Sequence, residues 1–161
     1  MVQSKDTQTD PTPSEPLLFT PFKTGNVQLK NRICISPMCM SSCEDGFVGD
    51  WHLVHLGARA IGGAGVVMVE ATAVEPRGRI SPGCPGIWKG EHVEPLKRIA
   101  TFLRSQNCVP AIQLAHAGRK GSLLPSWFGY NKTLPKEEAW TLVAPSPIGE
   151  FTVANLMNRI H

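Results

Sequence analysis

The sequence predicts an α/β fold on a parallel sheet, and three observations carry that prediction. Three short apolar runs, 32–40, 65–71 and 109–115, are rich in strand formers. The second is nearly continuous rather than alternating, as expected of a strand covered on both faces by helices. Helical patterns separate the runs, and loops holding Gly or Pro follow them. Strand, helix, strand, helix, strand, with each helix as a crossover, is the right-handed βαβαβ arrangement. A closed eight-stranded barrel takes about 250 residues. A chain of 161 residues with three such strands is therefore either part of a larger fold or not a barrel.

Residues 1–16 hold three prolines among Ser, Thr, Gln, Asp and Lys, a composition that buries too little surface to fold, and are expected to be a disordered leader. From 17 to 31, Gly25-Asn26 separates two extended apolar pieces, which predicts a β-hairpin turning on those two residues and plugging one end of the core. The first strand of the main sheet ends in Ser36-Pro37-Met38-Cys39-Met40, where Pro37 prevents a continuing central ladder. In α/β folds ligands collect beyond the carboxyl ends of strands, so this segment is the first candidate site. Asp50 is placed to cap a helix over about 51–61, which Gly62-Gly63 ends. The second strand follows at 65–71. After a Gly- and Pro-rich loop, Glu91 opens a second helix with Val93, Leu96, Ile99, Ala100 and Leu103 at helical spacing and Pro95 tolerated in its first turn. The third strand covers 109–115, and 117–149 reads as a long loop-like region.

Composition narrows the class of function. A net charge of +3 without a long Lys/Arg run gives no footprint for nucleic acid. No apolar run approaches the roughly 20 residues that span a bilayer, so no membrane partner is expected. Five cysteines, an odd number without a signal-peptide pattern, suggest free thiols in the cytoplasm.

Eight segments in order carry a family resemblance: Leu18-Phe19-Thr20-Pro21, Leu29-Lys30-Asn31-Arg32-Ile33, Ser36 to Met40, Trp51-His52-Leu53-Val54-His55, Glu70 to Val74, Gly78-Arg79-Ile80-Ser81, Gly86-Ile87-Trp88 and Gln113 to Lys120. Together they resemble the Old Yellow Enzyme family of NADH:flavin oxidoreductases, in its bacterial and fungal branch with a cysteine at the flavin. The resemblance implies the N-terminal portion of an FMN-binding (β/α)8 TIM barrel: about the first three β/α units over 17–150, preceded by the hairpin, with a divergent tail at 151–161. It implies hydride transfer from NAD(P)H through FMN to the activated C=C bond of an α,β-unsaturated carbonyl substrate. By the same resemblance Ser36, Pro37, Met38, Cys39, Ala71 and Gln113 contact the cofactor. Gln113 offers an amide able to donate and accept at the flavin pyrimidine edge, and Cys39 a thiol able to tune its potential. Ser41, where close relatives carry a tyrosine, and His116 fall in the implied substrate pocket. The family's substrate-carbonyl donors, proton donor and phosphate loops lie beyond strand three, so this chain is expected to be truncated and inactive alone. A homo-oligomer or a missing C-terminal half is the expected protein partner.

Two other readings compete. One is a non-catalytic fragment that pairs with another barrel through its uncovered strand edge. The other is a zinc module on Cys39, Cys43, His52 and His55, although zinc fingers put about 12 residues between the pairs and 3–5 between the histidines. His52 and His55 share a helical face and are expected to be packed or hydrogen-bonded. His116 is equally able to hold backbone groups. Cys34, Cys84 and Cys108 read as small core or loop residues without a nucleophilic role. Glu70, late in an apolar strand, needs a partner, and Arg119 or Lys120 at the neighbouring strand end is the expected one.

Overall fold

A computed structural model describes residues 16–129 and 131–146. The expected leader, apart from its last residue, and the expected divergent tail lie outside them. The hairpin forms as predicted: β1 (Phe22–Thr24) and β2 (Val27–Leu29) pair antiparallel around Gly25-Asn26. Gly25 sits at φ +55, a left-handed conformation that costs glycine nothing. Only Leu29 of the hairpin is buried, while Phe22 and Val27 remain exposed.

The main sheet has three parallel strands in the order β3 (Cys34–Ile35), β4 (Val66–Ala73) and β5 (Val109–Ala115). Strand β3 is much shorter than the apolar run that predicts it. Pro37 has no N–H to give the ladder, and residues 36–43 leave the sheet as irregular chain. Strand β4 runs two residues past its predicted end, because Ala73 also exchanges backbone hydrogen bonds with Pro85 and Ile87.

Two helices cover one face of the sheet: α1 (Asp50–Ile61) and α2 (Val93–Ser105). Asp50 is not the cap. Gly49 holds that position, and Asp50 opens the helix and reaches Arg98 of α2 at 2.7 Å. Helix α2 starts at Val93, later than predicted, because residues 90–92 form a single 3-10 turn. The buried stripe of α1, His52, Leu56 and Ala60, repeats every four residues, and Gly57 beside it admits the ring of Phe102. A Cβ on Gly57 would lie 2.8 Å from that ring.

Val67 and Val69 of β4, Leu56 and Ala60 of α1, and Ile99 and Leu103 of α2 meet in one apolar core. Each large aliphatic side chain fully buried there contributes about 1.5–3 kcal/mol. Bordering this core, an apolar groove of about 360 Å³ opens between α2 and β5, lined by Val69, Leu96, Ile99, Leu103, Pro110 and Ile112. Leu114 of β5 is 62% exposed.

The residues that follow the hairpin fasten the amino end of the sheet. Lys30 donates to the Gln106 carbonyl at the foot of β5, and the Asn31 amide donates to the Gly63 carbonyl at the foot of β4. The carboxyl end of the sheet stays free for loops.

Candidate functional site

At the carboxyl end the register of β4 against β5 slips. Val69 pairs with Ile112 and Ala71 with Gln113, so Glu70 is an extra residue in the ladder. Such a bulge re-aims a side chain. Glu70 is 3% exposed, and its carboxylate accepts the Met40 backbone N–H at 2.9 Å and lies 3.3 Å from His52 Nε2. The expected partners Arg119 and Lys120 are not the ones it uses. Arg119 donates to the Ser146 carbonyl instead.

Helix α1 brings His52 to this carboxylate from its first turn. His52 Nδ1 accepts the Gly49 N–H at 3.3 Å, so the ring proton sits on Nε2, facing Glu70 and the Cys43 sulfur at 3.5 Å. One imidazole thus caps a helix and satisfies a buried carboxylate. His55 stacks on Trp51 instead, with ring centroids 6.2 Å apart.

The irregular segment after β3 lies against the loop that follows β4. Cys43 N–H donates to the Gly83 carbonyl at 2.9 Å, and the Ser81 hydroxyl donates to Ser41 Oγ at 3.1 Å. A Cβ on Gly83 would fall 2.2 Å from the Ser41 carbonyl oxygen, so only glycine permits this approach. Within that seam the thiols of Cys39 and Cys84 are hydrogen-bonded to each other. Cys84 is 1% exposed and also faces the Ser81 N–H at 3.4 Å and the Ser81 hydroxyl at 3.6 Å.

These contacts separate the two thiols electrostatically. The Cys39 hydrogen bond, joined by those from Ser81 and Ile80, pulls the Cys84 pKa from 9.0 down to about 6. Cys39 is pushed up, first by its bond to Cys84, then by burial of its sulfur and the charges of Cys84 and Glu70. As a residue Cys39 is nevertheless exposed. Cys43 is pushed up mainly by burial.

Sequence reasoning read Cys84 as a small core or loop residue, which its burial bears out, but missed its place in the seam. It lies 45 residues from Cys39 in a loop without periodicity, so no spacing rule joins the two. It also misread Cys34, which is exposed on β3 rather than packed. His52, by contrast, was detectable as the first member of the α1 stripe.

Of the residues singled out from sequence, three converge on one edge of this site. Ala71 pairs with Gln113 across the ladder, and the Ala71 backbone hydrogen-bonds the Cys39 sulfur. The Gln113 side chain is exposed and makes no hydrogen bond among the described residues. Ser36 and Met38 are exposed on the adjoining segment, Pro37 is half-buried, and Ser41 lies in the seam. His116 sits at the same end with both ring nitrogens engaged: Nδ1 accepts the Gly118 N–H at 3.0 Å and Nε2 meets Glu75 Oε1 at 2.6 Å. That bond, then the one from Arg77, lowers the Glu75 pKa.

The zinc reading fails on this geometry. Cys43 and His52 touch, but Cys39 turns to Cys84 and His55 to Trp51. Among the described residues no three His, Cys, Asp or Glu side chains gather as a metal site. No helix among them is long and apolar enough to cross a membrane.

Residues 17–125 match the family model described as the NADH:flavin oxidoreductase / NADH oxidase family. The chain belongs to this family. An NADH:flavin oxidoreductase of Gibberella zeae is 45% identical over 141 residues, 86% of this chain and 34% of that protein. An NADPH dehydrogenase of Bacillus cytotoxicus is 55% identical over 108 residues, 66% of this chain and 31% of its own length. The chain thus spans about a third of the length of these curated relatives. Among solved structures, morphinone reductase in complex with tetrahydroNAD superimposes with a TM-score of 0.62 and 31% identity, over 67% of this chain and 29% of its own. Old Yellow Enzyme from a Pichia species gives 0.61 and 29%, over 66% of this chain and 28% of its own.

Proposed function

We propose that this chain supplies the opening part of an FMN-holding (β/α)8 barrel, cytoplasmic, that reduces activated C=C bonds of α,β-unsaturated carbonyl compounds with NAD(P)H. The convergence of Cys39, Ala71 and Gln113 at the carboxyl end of a parallel sheet supports this reading most directly. The residues present fit a flat heteroaromatic ring. Gln113 offers an uncommitted amide, the methyl side chain of Ala71 leaves room, and Cys39 brings a sulfur to the same edge. In such barrels the phosphate is held by loops after strands seven and eight, outside the matched residues.

FMN, when bound, would supply the hydride chemistry. The chain's own part is to hold and orient. Gln113 would donate and accept at the pyrimidine edge, Ser36, Pro37 and Met38 would flank the ring, and Cys39 would set its electronic surroundings. Ser41 and His116 would border the substrate pocket, with His116 held in place by Glu75.

The test is FMN retention by this chain and by a form extended to the length of its relatives. The extended form should copurify with FMN, and Gln113→Ala in it should lower FMN content at least several-fold. This chain alone should retain little FMN and show no turnover with NADPH and an enone. Unchanged FMN content in the Gln113→Ala variant would defeat the assignment. A second reading, a non-catalytic piece docking onto another polypeptide, is favoured by the apolar groove beside β5 and exposed Leu114. Stable FMN-free association with a barrel lacking its first three strands would favour it.

A further inference from the structure

Glu70 arranges two parts of the carboxyl end at once. Because it is the extra residue of the bulge, Ala71 pairs with Gln113; in an unbroken register Gln113 would face Glu70, and Ala71 would fall opposite Leu114. Its carboxylate also accepts the Met40 N–H at 2.9 Å. That bond ties the chain beside Cys39 to β4, after Pro37 has led residues 36–43 out of the ladder.

We infer that Glu70 and His52 are positioning residues for the flavin-facing edge. Glu70 sets where Met38, Cys39 and Met40 stand relative to Ala71 and Gln113, and His52 fixes the Glu70 carboxylate in the orientation that does so. The inference rests on the flavin reading of these residues and names what holds them in place. The pair acts through the Met40 backbone.

The two carboxylate oxygens divide the work. Oε2 accepts from Met40, and Oε1 lies 3.3 Å from His52 Nε2. His52 is the third residue of α1, and its Nδ1 accepts the N–H of the capping Gly49 at 3.3 Å, so the proton that faces Oε1 is on Nε2. A ring engaged at both nitrogens cannot turn without giving up a buried hydrogen bond. Water has little access, since His52 is 2% and Glu70 3% exposed. The cavity that Ser36, Met38, Met40, His52 and Glu70 help to line measures about 10 Å³, room for one water at most. The pair therefore serves the segment above it and not a ligand of its own.

A carboxylate suits this place because it only accepts and meets two donors. In Glu70→Gln the side-chain oxygen can serve one donor, while the amide N–H groups oppose the other. In Glu70→Ala both donors are orphaned.

The experiment measures amide hydrogen exchange residue by residue in the full chain. In the wild type the Met40 amide should exchange more slowly than those of the exposed Gly25-Asn26 turn. Glu70→Gln should speed it severalfold and Glu70→Ala at least about tenfold, in each case by a larger factor than at Val67 in the middle of the sheet. His52→Gln should keep Met40 near the wild-type rate, because a glutamine at the third helical position can accept the capping N–H and offer its own amide protons to Glu70. His52→Ala should not. In a form extended to the length of the relatives, FMN content should fall in the same order, Glu70→Gln less than Glu70→Ala. The inference is overturned if wild-type Met40 exchanges as fast as the turn, or if the variants speed Met40 no more than Val67, the mark of a pair that supports only global stability. It is overturned equally if FMN content ignores both Glu70 variants while Gln113→Ala loses FMN, an outcome that leaves the flavin reading standing. If FMN content ignores all three, the flavin reading falls, and Met40 exchange alone decides whether the pair holds the segment. Should either alanine variant fail to fold, Glu70→Gln and His52→Gln carry the comparison.

Discussion

The amino and carboxyl ends of the same sheet are closed by different kinds of contact. At the amino end Leu29 is buried, Lys30 and the Asn31 amide donate to backbone carbonyls, and Asn31 Oδ1 accepts the Ile33 N–H. No buried carboxylate is needed. At the carboxyl end Glu70, His52, Cys39, Cys43 and Cys84 crowd the same few turns, and each depends on another for its protonation or its hydrogen bonds. One end is a fastening, and the other concentrates groups that are costly to desolvate, which makes it the end equipped for chemistry.

The comparison breaks first if the carboxyl end tolerates loss of its histidine. His52→Ala leaves a buried carboxylate without its imidazole and Gly49 without its cap, and should cost about 3–5 kcal/mol in chemical denaturation. A cost below about 1 kcal/mol would mean that water already serves Glu70.

The next effect is a pH dependence that the amino end cannot produce. Folding lowers the Cys84 pKa from 9.0 to about 6. Between those values the folded chain binds fewer protons than the unfolded one, so stability rises with pH, by at most about 1.4 kcal/mol per unit. The gain is complete above the unfolded value and is lost as pH falls through about 6. Above the ordinary thiol range Cys39 and Cys43, both pushed up, reverse the trend. Denaturation midpoints across this range should show the rise, and Cys84→Ser should flatten it.

The smallest effect sharpens the contrast. Asn31→Ala removes two hydrogen bonds from a residue only 8% exposed, and should cost about 1–2 kcal/mol. That cost should be the same at every pH in the series, and a slope like that of the other end would erase the distinction.

The fold was readable where the signal was local. The Gly25-Asn26 turn, the apolar run at 65–71 and the helical spacing of Ile99 and Leu103 each dictate their structure over a few neighbours. Short β3 was overestimated because its apolar run continues past Pro37 into chain that packs without pairing. The site was half legible. Glu70 demanded a partner, but reasoning from strand order chose cations at the next strand end, while the bulge and the first turn of α1 delivered His52. Cys84 left no trace in the sequence because its role arises from two irregular loops meeting across 45 residues.

That meeting rests on the residue beside it. Gly83 contributes no atom to any thiol, yet a single methyl group there would collide with the Ser41 carbonyl and wedge the loops apart. The meeting of the two loops is therefore written at a position next to Cys84 and far along the chain from Cys39. Changing that position would part the loops while leaving every cysteine in the chain intact.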